Sequence, residues 1–183
     1  MFKFDKEREP RAHPIDSQLH RVADYSTVFL RWALGASFLS AVADRFGWWG
    51  RYGLPNVAWG DFAHFVAYTG KLNPWAPAAF VPALAWTATV AETALGFALI
   101  IGIGTRITAV LSGLTLLLFA VSMTFALGIK APLDFSVYSA SAGAFLLAAW
   151  PYHPLTWDAW RTRKSEYGIR GSIRHPRRVR CPP

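Results

Sequence analysis

The sequence predicts an all-α membrane protein, a four-helix bundle with a long outer loop that carries a short interfacial helix. Two observations predict this fold class. First, the 183 residues are 53% hydrophobic and only 16% charged, against about 25% charged in a typical soluble domain. Second, the apolar residues lie in four stretches of about 18 to 24 residues, long enough to cross a hydrocarbon layer of roughly 30 Å. The single cysteine, Cys181, excludes an intramolecular disulfide and a Cys-rich metal site.

The chain divides into three parts. Residues 1–25 form an N-terminal segment in which Ile15, Leu19 and Val22 follow one stripe of a predicted amphipathic surface helix. Residues 26–150 hold the four predicted spans, and residues 151–183 form a basic tail. The spans are predicted at 26–47, 81–104, 107–128 and 133–150. A soluble bundle is the alternative, but its helices would carry a polar stripe, and the third span is apolar nearly all round.

Basic residues predict the orientation of the spans. Fourteen Lys and Arg lie on the side of the two termini, whereas the opposite side has Arg51, Lys71 and Lys130. The positive-inside rule therefore predicts that both termini lie in the cytoplasm and that the 48–80 connection lies outside. Within this connection, helical spacing behind Asp61 predicts the short interfacial helix.

The basic tail is expected to contact membrane lipids, because clustered Lys and Arg are attracted to anionic headgroups. A nucleic-acid-binding arm is the competing interpretation. No nucleic-acid-binding motif accompanies the tail, so no nucleic acid partner is predicted.

Glu92 is the one charged residue in the second span, close to mid-membrane. It shares a face with the small residues Ala85, Thr89 and Gly96, so its side chain is predicted to point into the bundle. A charged acid at this depth costs roughly 2.5 kcal/mol or more. Two interpretations stay open: a proton carrier or hydrogen-bond partner for a quinone, and a protonated acid that locks helices together.

Charged residues of the first span have several possible partners. Arg31 is expected to extend towards the cytoplasmic face as an interface anchor, and pairing with Glu92 is the alternative. At the outer ends of the spans, an ion-pair network is expected from Asp44, Arg45, Lys130 and Asp134. The alternative is the mouth of an anion or quinone site, with positive potential from Arg45, Arg51, Lys71 and Lys130. The first span also aligns Ala36, Ser40 and Asp44 as a predicted small-residue packing face.

No histidine lies within a predicted span, which excludes a haem or chlorophyll held by histidine inside the bundle. No metal-binding motif is present either, so no metal is predicted. His64, in the outer connection, is expected to be solvated or structural rather than a ligand.

Three segments resemble the DoxX family of small bacterial four-helix membrane proteins, over roughly residues 26–150. They read FLRWALGASFLSAVADRFG, AWTATVAETALGFALIIGIGTRITAVLSG and FSVYSASAGAFLLA. The most specific part is Glu92 followed by glycines and a Gly-Thr-Arg turn at 104–106, with Arg31 opening the first span. The family is related to the membrane subunit of thiosulfate:quinone oxidoreductase. The resemblance therefore implies a quinone-linked, electron-transfer-associated role in the bacterial inner membrane.

The leading hypothesis is a subunit that binds a quinone or lipid-like ligand between its helices. Glu92 would handle the proton, and Arg31 or Arg45 would stabilise developing negative charge. The expected ligand-binding residues are Trp86, Thr89, Phe97, Arg45 and Asp44, with Trp86 and Phe97 as stacking surface. The alternative is a non-catalytic scaffold or assembly subunit of a larger respiratory or photosynthetic complex, and other membrane subunits are expected partners in either case. Whether the chain is an enzyme stays open at this point.

Overall fold

The structure, a computed structural model, describes residues 14–161, and over that range it is helical without a β-strand. Its helices are α1 (Pro14–Arg45), α2 (Phe62–Leu72), α3 (Val81–Ile101), α4 (Thr105–Leu127), α5 (Lys130–Asp134) and α6 (Val137–Ala149). The predicted all-α membrane bundle is confirmed. Three helices are long and apolar enough to cross a membrane, and α6 is a shorter apolar helix. Most of the predicted N-terminal segment and of the basic tail lies outside the described residues.

The first helix is longer than the predicted first span. It runs without a break for 32 residues, so the expected surface helix and the first span are one element. Pro14 suits its first turn, where no intrahelical N–H bond is lost, and no further proline or glycine occurs before Gly35. The helix ends before Gly47, whose φ of 74° lies in the left-handed region that glycine adopts readily.

The fourth span, predicted as continuous over 133–150, is interrupted. After the short helix α5 the chain turns at Ser136, whose φ is 55°, and only then begins α6, which has 13 residues. Such a helix is about 20 Å long, less than the hydrocarbon thickness of roughly 30 Å. Pro132 lies within α5, where Lys130 and Asp134 form an exposed ion pair across its single turn.

Helix α1 packs mainly on α3, and α4 packs mainly on α6. At the α1–α3 crossing, a Cβ built on Gly35 would lie 2.9 Å from the carbonyl oxygen of Gly96. Small residues allow such close approach, which stabilises helix pairs in lipid. The predicted small-residue face of α1 is wrong in part, because Ala36 and Ser40 are exposed while Leu34 and Phe38 are buried.

The bundle has a loop end and a terminal end. The loop end carries residues 46–80, and the terminal end carries residues 150–161. Helix α2 lies at the loop end, where the Asp61 carboxylate accepts the His64 backbone N–H at 2.9 Å and so caps the helix. The helix predicted behind Asp61 is therefore present. Its buried residues are Phe65, Thr69 and Leu72.

Candidate functional site

An ion pair between α1 and α3 lies inside the bundle. Nη2 of Arg45 lies 2.7 Å from each carboxylate oxygen of Glu92. The two residues are only 2% and 1% exposed. Buried charges of opposite sign satisfy each other in this geometry, because each would otherwise be desolvated without compensation.

Thr89 extends the pair into a three-residue network. Its hydroxyl accepts a hydrogen bond from Nη1 of Arg45 at 2.9 Å and donates one to the Ala85 carbonyl oxygen at 2.9 Å. Thr89 lies one turn before Glu92 on α3, so a single helix face presents both partners to the arginine. The sequence had placed Thr89 and Glu92 on this inward face, and both are buried.

Two aromatic rings from the loop end cover the guanidinium of Arg45. The guanidinium carbon of Arg45 lies 3.7 Å from the ring centroid of Phe65 and 5.4 Å from that of Trp59. A cation over an aromatic face gains about 0.5 to 2 kcal/mol, with the larger values where water is excluded. Sequence reasoning did not identify Phe65 or Trp59 as site residues. Only the docking of α2 and its preceding loop brings them to the arginine.

Beside this network lies a half-exposed group of three aromatic rings. The Trp86 and Phe62 ring centroids are 4.4 Å apart, and Phe46 lies 6.4 Å from Trp86 and 6.1 Å from Phe62. Trp86 is 50% exposed. Phe97 lies about three turns further along the same exposed side of α3. Trp86 and Phe97 thus line the outer surface of the bundle, whereas Glu92 lies on the buried face.

The expected ion-pair network of Asp44, Arg45, Lys130 and Asp134 does not form. Asp44 instead accepts the backbone N–H groups of Ala58 and Trp59, at 2.9 and 3.1 Å, and thereby fastens the loop to the end of α1. Two adjacent helical residues point in directions about 100° apart, so Asp44 and Arg45 serve different partners. Lys130 and Asp134 pair with each other on α5.

Arg31 lies at the terminal end and does not reach Glu92. About 21 Å of helix separates it from Arg45, which makes the alternative Arg31–Glu92 pairing wrong. It also does not extend to solvent, because it is buried and its Nη2 donates to the Leu155 carbonyl oxygen at 2.7 Å. The residues that cover it follow α6, and no spacing in the sequence indicates that contact.

Within residues 14–161, His, Cys, Asp and Glu side chains form no group of three that could hold a metal ion. The charged network at the loop end consists of a carboxylate, a guanidinium and a hydroxyl. These groups can exchange a proton or stabilise a negative charge.

One comparison with known proteins gives a match. A family model described as DoxX matches residues 26–129, which is more than half of the chain. The matched range contains Arg45, Thr89 and Glu92 and the aromatic residues beside them. Neither the curated proteins nor the solved structures contain a match to this chain.

Proposed function

This chain belongs to the DoxX family of membrane proteins, and on that premise we propose that it is a quinone-linked subunit of a redox complex. We place it in the bacterial inner membrane with both termini in the cytoplasm, as the distribution of Lys and Arg favours. In this proposal the protein binds the quinone, and electrons pass to or from a partner subunit in the same membrane.

The observation that carries the proposal is the half-exposed group of Trp86, Phe62 and Phe46 directly beside a buried charged pair. A quinone has a flat ring, and aromatic side chains stack on flat rings with a gain of about 0.5 to 1.5 kcal/mol beyond the area that they bury. Because Trp86 faces outward, the ring would bind from the lipid and not between the helices. The exposed stripe of Val90, Phe97 and Ile101 on α3 offers an apolar path for an isoprenoid tail.

Arg45 and Glu92 would supply the electrostatics and the proton. Phe46 follows Arg45 on the chain, and Phe62 is one turn before Phe65, the ring above the guanidinium. The ionised Glu92 neutralises Arg45, so the charge of Arg45 stabilises negative charge on a quinone during reduction once Glu92 has taken up a proton. Glu92 is 1% exposed and Phe65 of α2 covers its partner Arg45, so in this proposal α2 moves away from the pair when Glu92 exchanges a proton with a ligand.

Quinone binding tests the aromatic site. The purified protein would be placed in nanodiscs of neutral lipid with a defined fraction of ubiquinone or menaquinone, and the quinone retained per protein would be measured. We expect Trp86→Ala to weaken binding about tenfold, the equivalent of about 1.4 kcal/mol. Trp75→Ala is the matched control, because Trp75 is a more exposed tryptophan at the same end. Equal binding by the two variants would refute the site.

Turnover tests the charged pair. Glu92→Gln keeps the shape of the side chain and removes its exchangeable proton, so quinone-dependent electron transfer should slow while the fold persists. If both quinone binding and electron transfer remain at the wild-type level in this variant, Glu92 has no role in the reaction.

A non-catalytic scaffold is the second candidate function. It is favoured by the closure of the Arg45–Glu92 pair, because a pair that is satisfied and hidden from lipid acts as a lock between α1 and α3. Gentle solubilisation of native membranes separates the two functions. Stoichiometric co-purification with a large haem or pigment complex, together with no quinone bound to the isolated chain, would favour the scaffold.

A further inference from the structure

A second cluster of charged and polar side chains lies at the terminal end, far from the Arg45–Glu92 pair. Its centre is Arg31, which is 2% exposed although it carries a full charge. Nη2 donates to the Leu155 carbonyl oxygen. A Cβ built on Gly102 would lie 2.7 Å from Nη1, so the guanidinium packs directly on the α3–α4 turn. Its Nε–H is buried and has no hydrogen-bond partner within the described residues.

His153 provides the second unsatisfied group of this cluster. Its Nε2 is likewise buried, and no partner for it lies among residues 14–161. Burial lowers the pKa of His153, and the nearby charges of Arg106 and Arg31 lower it further. The imidazole therefore lies within electrostatic reach of both arginines, one buried and one exposed.

Asp158 is the acid within electrostatic reach of both Arg31 and His153. Its carboxylate accepts the backbone N–H of Thr105 at 3.1 Å and lies 3.4 Å from the Thr105 hydroxyl, so it caps the start of α4. This carboxylate is already hydrogen-bonded to Thr105, and the Nε–H of Arg31 does not bond to it. A buried charged donor without a partner destabilises the fold, so an incoming acceptor with negative charge would be favoured.

A half-open groove runs next to the cluster. It has a volume of about 290 Å³, and its lining includes Val28, one turn before Arg31, and Leu155, whose carbonyl holds that arginine. Arg21, Asp24 and Tyr152 also line it, so the groove combines apolar walls with a cation and a carboxylate at its rim. An acyl chain fits such a groove, with its headgroup at the charged rim.

From this arrangement we infer that Arg31, Arg106 and His153 form a binding site for a phosphate group, carried by an anionic phospholipid or free in solution. The phosphate oxygens accept the Nε–H of Arg31 and an N–H of His153, and Arg106 closes the site from the surface. This inference does not depend on the proposed quinone site, which lies at the opposite end of the bundle.

Thermal unfolding in detergent with added lipid tests whether the site binds a phosphate group and whether that group comes from a lipid or from solution. The protein would be titrated with phosphatidylglycerol, with phosphatidylcholine, and separately with inorganic phosphate. Phosphatidylglycerol should stabilise the wild type more than phosphatidylcholine does. Stabilisation by inorganic phosphate to the same extent would support the phosphate site and assign it to a soluble anion. No stabilisation by either phosphatidylglycerol or inorganic phosphate would overturn the inference.

Variants at the rim of the cluster connect the effect to named residues. Arg106→Gln should weaken phosphatidylglycerol binding about fivefold, the factor expected for one well-placed arginine at an anionic surface. Arg51→Gln, an exposed arginine at the loop end, is the matched control and should bind as the wild type does. Identical lipid affinities for these two variants would refute the assignment.

The titration of His153 provides a readout that a purely structural role would not change. Bound phosphate favours the imidazolium form, so the NMR pKa of His153 should rise when phosphatidylglycerol is added and stay constant with phosphatidylcholine. A pKa that is unchanged by phosphatidylglycerol and by inorganic phosphate would remove His153 from the site.

Discussion

Replacing Arg45 by methionine should destabilise the fold by about 3 to 5 kcal/mol, the usual cost of removing one partner of a buried ion pair. The structure explains why the loss is this large. Glu92, which is 1% exposed, would lose both 2.7 Å contacts and remain as an uncompensated buried acid. Thr89 would lose its donor, and Phe65 the cation above its ring. Methionine has a similar stem, so the loss reports mainly on the charge.

Variants of Glu92 and a double variant separate the free energy of the ion pair from the cost of each single substitution. Glu92→Gln keeps an acceptor for the guanidinium, so its cost should be smaller, about 1 to 3 kcal/mol. The double variant Arg45→Met, Glu92→Leu removes both charges from the interior and should lie close to the wild type. The single costs of Arg45→Met and Glu92→Leu therefore should not add, and the difference is the coupling free energy of the pair.

The assay is reversible unfolding in mixed micelles, in which the fraction of SDS is raised and helix content is followed by circular dichroism. Lys130→Met is the matched control, because it breaks an ion pair whose lysine is 83% exposed. Exposed pairs contribute about 0 to 1 kcal/mol. If Arg45→Met costs no more than Lys130→Met, or if the costs in the double variant add, the buried pair does not stabilise the bundle as argued.

Three further predictions concern packing, the loop and pH. Gly35→Ala should destabilise the fold by about 1 to 3 kcal/mol in the same unfolding assay, because the added methyl would lie 2.8 Å from a side-chain carbon of Ile100. Gly70→Ala is its control and should be neutral or stabilising, because a methyl there meets only ordinary contacts from 3.5 Å. Asp44→Ala removes the acceptor of two loop N–H groups, so hydrogen exchange in residues 46–60 should accelerate while exchange in the α4 core does not change. The pKa of His153 is lowered in the fold, so the unfolded chain binds a proton more readily and stability should fall as the pH drops below the ordinary value of about 6.5. His153→Gln should flatten this dependence, and an equally steep decline in that variant would show that another group causes it.

The sequence by itself determined that the helices lie in a membrane and which face of α3 points into the bundle. Four apolar stretches and few charges are sufficient to predict membrane helices, because a span must satisfy its backbone internally and present apolar side chains to lipid. The small residues around Glu92 also predict which way that acid points, since helical periodicity is a local property. The short helix after Asp61 follows from local capping as well.

Only the tertiary structure decided which charges meet. In the sequence, Arg31 and Arg45 are both candidate partners for Glu92. Which of them reaches Glu92 depends on how far α1 and α3 are offset along their axes. Backbone contact between Gly35 and Gly96 sets that offset, and it brings Arg45, not Arg31, to Glu92. In the same way, the residues that contact the two arginines come from segments distant in the chain. Phe65 of α2 covers Arg45, and the Leu155 carbonyl accepts a hydrogen bond from Arg31. Periodicity describes one helix at a time, whereas these contacts depend on how several helices and loops pack together.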